Sequence, residues 1–161
     1  MAFTESYWPA TEDGELFDWT VGDALREMAS RHPDRTALLE AVVDAAARRR
    51  WTYAELLAAA EQTAHALLSE FEPGDHIAVW SANCPEWVIL QFGIGLAGMV
   101  LVTVNPAYKA SELEYVLKQS KARGVFHQTV YRGVAMADVV AEVLPGIRSE
   151  EHTSELQSPD H

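Results

Sequence analysis

One cysteine, Cys84, occurs in 161 residues. An internal disulfide is excluded, and the composition suits a reducing compartment, so a cytoplasmic location is expected. Positive charge is scarce too. Twelve Lys and Arg stand against 24 Asp and Glu, giving a formal charge of −12. Binding a nucleic-acid backbone requires clustered cations, so this balance argues against a nucleic-acid partner. No apolar run reaches the ~18 residues of a membrane span. The longest, around Val88 to Val104, is interrupted by Gln91 and three glycines. The opening MAFTESYWPATEDGE is acidic and has no apolar signal core, so export is not expected. No G-x-x-x-x-G-K-[ST] loop occurs. The six histidines show no i, i+4 pair and no Cys–His cluster, so no residue is nominated as a metal ligand.

What is present reads as one α/β domain. Residues 1–19 form an irregular arm with exposed aromatics Tyr7, Trp8, Phe17 and Trp19. Thr20 caps a helix to Arg31 with Ala24, Leu25 and Met28 on one face, and His32-Pro33-Asp34 stops it. Thr36 to Glu40 is a short strand, and Val42 to Arg50 holds a turn leading back into Trp51. Thr52-Tyr53-Ala54-Glu55 is a capping box. Its helix carries Leu56, Leu57, Ala60, Ala64, Leu67 and Leu68 at helical spacing. After the turn Pro73-Gly74-Asp75 come a strand, His76 to Trp80, and a helix from Pro85 to about Ala97, capped by Asn83 or Cys84. That helix is apolar nearly all round and is expected to be buried. Val100 to Val104 is an apolar strand, expected to be parallel and covered on both faces. Ser111-Glu112-Leu113-Glu114 reads as a second box, with Glu114 as the capping partner, opening a helix to about Lys121. Val125 to His127 is a third strand, and Val134 to Leu144 a last helix. Strands alternating with helices through short connections predict a doubly wound α/β fold, a mostly parallel sheet with helices on both faces. The core candidates are Leu56, Leu67, Ile77, Val79, Trp87, Phe92, Leu101, Val102 and Leu117.

The stretch QFGIGLAGMVLVTVNP contains G-x-G-x-x-G at Gly93, Gly95 and Gly98. A dinucleotide fingerprint follows a strand and opens a helix, where free N–H groups meet the pyrophosphate. Here the glycines close a helix and precede a strand, so carbonyls would face the phosphate and the polarity is wrong. Gly93 and Gly95 are expected to permit close packing, and Gly98 to take the left-handed position that ends a helix. His76 is expected to be solvated, His127 to be a strand-end side chain with a backbone partner, and Cys84 to be a capping or packing residue. Arg48-Arg49-Arg50 reads as a solvated face. Glu112 and Glu114 lie on different sides of one helix and form no carboxylate pair. No residue is nominated as catalytic, cofactor-binding or metal-binding.

The last stretch, RSEEHTSELQSPDH (148–161), has one leucine and no periodicity. Its first eleven residues, Arg148 to Ser158, are similar to a translated sequencing adapter. Residues 148–161 are therefore expected to be a non-native, disordered tail. Residues 20–147 would be part of a longer gene product that continues past Ile147. Without the tail, 11 basic and 20 acidic residues leave −9.

Three stretches resemble the N-terminal part of adenylate-forming acyl-CoA synthetases. They are HPDRTALLE (His32 to Glu40), RRWTYAEL (Arg49 to Leu56) and the long segment from Pro73 to Phe126. Within the last, N-C-P-E-W and V-N-P-A-Y-K-x-x-E-L-E-Y discriminate best, and they are similar to fatty-acyl and medium-chain acyl-CoA ligases. The resemblance covers about two-thirds of the chain. It implies a two-step ligase using ATP, Mg²⁺ and CoA on a carboxylic acid such as a fatty acid. It implies too that the Ser/Thr-Gly-rich phosphate loop, the adenine and ribose contacts and the catalytic lysine lie further along a full-length chain. No family functional residue maps onto a position here, so the 161-residue chain is expected to be inactive with no cofactor of its own. The competing readings are a stand-alone, non-catalytic α/β binding module and another adenylate-forming ligase, aryl-CoA or luciferase-like.

Overall fold

Strand His76–Trp80 alternates its side chains between two apolar layers, and the rest of the molecule is arranged around it. The computed structural model describes Pro9, Gly14 and residues 16–144. The expected aromatics Tyr7 and Trp8 and the expected tail 148–161 lie outside the described residues. In chain order the elements are α1 (Val21–Arg31), β1 (Thr36–Leu39), a 3-10 turn (Ala45–Ala47), β2 (Arg50–Thr52), α2 (Tyr53–Glu70), β3 (His76–Trp80), α3 (Pro85–Leu96), β4 (Val100–Val104), α4 (Ala110–Ser120), β5 (Gly124–His127), β6 (Val130–Tyr131), β7 (Val134–Ala135) and α5 (Met136–Val143).

Strands β4, β3 and β5 form a parallel sheet in that order. Their register sets Trp80 beside Val104 on one side and His127 on the other. Ile77 and Val79 face one layer, where Ala64 and Leu67 of α2 and Ile94 of α3 close over them. Ala78 and Trp80 face the other, against Leu113 and Leu117 of α4 and Met136 and Val140 of α5. The doubly wound α/β class is thus observed, with helices on both faces of the sheet. A third cluster joins Leu25, Leu56, Ala60 and Ile89 of α1, α2 and α3, under the antiparallel β1–β2 hairpin. Phe17 and Trp19 of the arm stack on each other with ring centroids 4.5 Å apart and remain largely exposed.

Several expectations need correction. β4 is not covered on both faces: it is an edge of the described sheet, with Val100 and Thr103 exposed. The doubly covered strand is β3, buried from Ile77 to Trp80. An apolar run does not separate a centre from an edge, because only the neighbours do. Trp87, Phe92, Leu101 and Val102 are half-buried margins of the core, whereas Leu56, Leu67, Ile77, Val79 and Leu117 are inside it. Leu68, placed on the buried stripe of α2, is exposed, and on α1 the buried set is Gly22, Leu25 and Ala29. The last helix starts two residues after Val134. A small hairpin, β6–β7, precedes it and turns through Arg132 (φ 48°) and Gly133 (φ 81°). Two consecutive left-handed residues match the twist of a tight hairpin, but only the glycine was a signal.

Helix ends follow local chemistry. Thr20 with Asp23 and Thr52 with Glu55 are reciprocal capping boxes. The start of α4 was misplaced. Lys109 is its N-cap residue and Glu112, not Glu114, accepts the Lys109 N–H at 3.0 Å. A lysine side chain cannot accept, so this is half of a box. Glu114 instead pairs with Lys118 one turn on, a spacing that places the two side chains side by side. The end of α3 is a Schellman motif. Gly98 has φ +70°, Met99 N–H donates to Ile94 O at 3.0 Å and Gly98 N–H to Gly95 O at 3.1 Å.

Candidate functional site

In an open parallel sheet ligands bind beyond the carboxyl ends of the strands. Here that end is built from three loops, following Trp80, Val104 and His127. Gln128 ties two of them together. Its Oε1 accepts Ala82 N–H at 2.7 Å and the Ser81 hydroxyl at 3.1 Å, while its Nε2 donates to Val130 O at 2.6 Å. Trp80 Nε1 donates to Asn105 O at 3.0 Å, and Asn105 Oδ1 accepts Ala107 N–H at 3.0 Å. Among the described residues no buried side-chain nitrogen or oxygen lacks a partner. These loops hold one another and direct no spare polar group outward from the interior.

Each helix start on this side carries a carboxylate. Glu86 lies in the first turn of α3 and Glu112 in the first turn of α4. An acid there suits the helix dipole. Among the described residues no three His, Cys, Asp or Glu side chains converge. The glycine motif occupies the far, carbonyl end of α3, as the sequence order demanded. Gly93 is packed against α2: a Cβ there would lie 2.6 Å from Thr63 Cγ2. Gly95 is not. A Cβ there would meet only Val21 Cβ at 3.9 Å, so close packing explains the first glycine and not the second.

Arg49 is the largest departure from the sequence reading. It is exposed, as expected of a solvated face, but its guanidinium is not free. Its Nε and Nη2 reach Glu40 at 2.7 and 3.0 Å, its Nη1 bonds Glu86, and its guanidinium lies 5.4 Å from the Trp51 ring. Arg48 Nε donates to Val42 O at 2.9 Å. Glu40 lies nine residues away across the hairpin and was accessible to pattern reasoning. Glu86 lies 37 residues away and left no local signal. His76 is not solvated: its Nδ1 lies 2.6 Å from Ser120 O, at the end of α4. His127 has the expected backbone partner, Gln128 O at 3.0 Å. Cys84 occupies the N-cap of α3 without a capping hydrogen bond; its Sγ is 3.8 Å from Ser81 Oγ.

The guanidinium sets the titration of its partners. The Arg49 hydrogen bond holds the Glu40 carboxyl below its ordinary range, against a smaller upward push from burial. At Glu86 burial pushes upward most strongly, but the Arg49 bond, a backbone N–H and the guanidinium charge together bring the carboxyl below its ordinary value. Groups lowered in the folded state stabilise it above their unfolded pKa, and the stabilisation disappears as pH falls through the folded value. Comparing urea midpoints of the native chain and Arg49→Met should show a gap that is constant above about pH 5. The gap should close as the pH falls through the lowered folded-state values of Glu40 and Glu86. A gap unchanged down to pH 2 would mean that the triad contributes nothing electrostatic.

Comparison with known proteins decides the family. The sequence pattern of the AMP-binding enzyme family matches residues 25–160. The chain belongs to the AMP-binding enzymes. Among relatives of this AMP-binding chain, YngI of Bacillus subtilis, provisionally named an acyl-CoA synthetase, is 39% identical over 135 residues, covering 83% of this chain and 24% of its own. The mitochondrial medium-chain acyl-CoA ligase ACSF2 of Mus musculus is 36% identical over 141 residues, 87% of this chain and 22% of its own. A crystal structure of a Rhodopseudomonas palustris protein, provisionally named a long-chain-fatty-acid CoA ligase, superposes with a TM-score of 0.68 at 36% identity. It covers 83% of this chain and 31% of that one. The chain thus spans about a quarter of the length of the curated relatives it matches.

Proposed function

We propose that the whole protein is an ATP-dependent ligase that activates a carboxylic acid of fatty-acid type and passes it to CoA. The observation carrying this is the family match over residues 25–160, together with relatives at 36–39% identity named for that activity. In such a reaction the carboxylate attacks the α-phosphate of ATP, releasing pyrophosphate, and the CoA thiol then displaces AMP. The residues described here contribute framework. α2 and α3 fix one face of the sheet, α4 and α5 the other, and Gln128 and Trp80 set the loops at the strand ends. On this reading the nucleotide contacts come from residues other than those described here.

The test is exchange of labelled pyrophosphate into ATP driven by added fatty acid. A product translated from the locus, read on past codon 147, should support it, and the 161-residue chain should not. Exchange by the 161-residue chain would overturn the assignment of the nucleotide contacts. No exchange by the longer product with any carboxylic acid would overturn the ligase reading. A stop codon at position 148 in the resequenced locus would do the same in favour of a stand-alone module.

A further inference from the structure

Residues 41–48 form a loop that the core does not anchor. Of its residues only Val42 is even half-buried, and Val43 is fully exposed. Its internal order is local: Asp44 Oδ1 accepts Ala46 N–H at 2.9 Å and Arg48 Nε donates to Val42 O at 2.9 Å. The apolar anchors of the hairpin, Ala37, Leu38 and Trp51, lie on the strands and outside the loop. The position of the loop is therefore set at its neck. There Glu40 N–H donates to Arg49 O at 2.9 Å, and the Arg49 guanidinium spans from Glu40 to Glu86 at the start of α3. Because α3 follows β3 directly, its N-terminus lies at the carboxyl end of that strand. The loop thus borders the side of the sheet on which open α/β folds bind ligands.

We propose that residues 41–48 are a strap beside the strand-end face, and that Arg49 is the positioning residue that latches it to α3 through Glu86. An arginine suits the task because its planar fork can serve two carboxylates at once, which a lysine ammonium on a flexible stem does poorly. Exposed ion pairs are individually weak, so the latch holds the strap without making it permanent. The inference stands on this geometry and is independent of the ligase reading.

Amide hydrogen exchange on the full 161-residue chain tests it. In Arg49→Met and in Glu86→Gln, exchange at Glu40, Ala46 and Ala47 should rise by about threefold, while Ile77 to Trp80 exchange as before. The double variant should exchange no faster than Arg49→Met alone, since both changes open one latch. Arg49→Lys should fall between native and Arg49→Met. Unchanged loop exchange in both single variants would overturn the proposal. So would additive effects in the double variant, or a rise shared equally by Ile77 to Trp80, which would signal general destabilisation.

Discussion

Replacing Trp80 by alanine should cost about 3–5 kcal/mol, the range for deleting a buried aromatic side chain. Trp80 is 1% exposed, on the strand with neighbours on both sides, and its ring fills the space between Val104, Leu113, Leu117, Met136 and Val140. Domains of this size are stable by roughly 5–15 kcal/mol in all, so the variant should be near the limit of folding. Trp80→Phe separates packing from hydrogen bonding. It keeps much of the ring and deletes the N–H that reaches Asn105 O. That carbonyl also accepts Tyr108 N–H at 3.0 Å and is not orphaned. The phenylalanine variant should therefore lose only about 1–2 kcal/mol. Urea unfolding followed by far-ultraviolet circular dichroism measures both. A loss below 1 kcal/mol for Trp80→Ala would contradict the packing described, and equal losses for the two variants would make the hydrogen bond the dominant contribution.

The degree to which this fold was legible follows from the range of the interactions involved. The cap at Thr20, the capping box at Thr52, the Pro73-Gly74 turn and the end of α3 at Gly98 are set within a few residues, and reading them locally placed the elements to within one or two positions. The alternation of strand and short helix then allowed only a parallel sheet wound on both sides. Where partners are distant in sequence the reading failed. Strand order in the sheet decides that β3 and not β4 is the buried centre, and strand order leaves no trace in the composition of Val100–Val104. The Trp80 indole, the Ile94, Leu113 and Met136 side chains and the Gly93–Thr63 contact are all tertiary facts. Lys109 at the start of α4 defeats propensity, because the carboxylate of Glu112 does the capping from within the helix.

For the candidate site the argument from helix polarity was sufficient to reject the glycine motif, since chain order alone says which end of α3 it occupies. What order could not supply is the set of carboxylates at the other ends. Glu86 and Glu112 sit in the first turns of α3 and α4, and Glu86 turns Arg49 from a free cation into a tie between hairpin and helix. A polypeptide can thus carry the family's framework and its most discriminating motifs while those residues build loops and caps. The words N-C-P-E-W and V-N-P-A-Y-K record how β3 joins α3 and β4 joins α4; in this structure they do structural work.

The two glycines at positions 93 and 95 should respond in opposite directions to substitution, although they lie in one helix. At Gly93 a Cβ would fall 2.6 Å from Thr63 Cγ2, 2.8 Å from Thr63 Cβ and 3.2 Å from Ala60 O. None of these can yield cheaply. The Thr63 rotamer is pinned by its hydroxyl bond to Ala59 O at 2.9 Å, and the other atom is α2 backbone. Gly93→Val should therefore destabilise by about 3 kcal/mol, at the upper end for overpacking a well-filled interface. Gly93→Ala should cost less, because the clash is offset by the ~1 kcal/mol that alanine gains over glycine in a helix. Thr63→Ala should restore part of the loss in either variant by removing the nearer carbon. In Gly95→Ala the added methyl makes only an ordinary contact with Val21 Cβ at 3.9 Å, so the change should stabilise the chain by about 0.5–1 kcal/mol. Thermal and urea unfolding of these variants measures the differences. A Gly93→Val chain as stable as the native one would mean that α2 and α3 do not approach as described. A destabilised Gly95→Ala would mean that the second glycine, too, serves a contact.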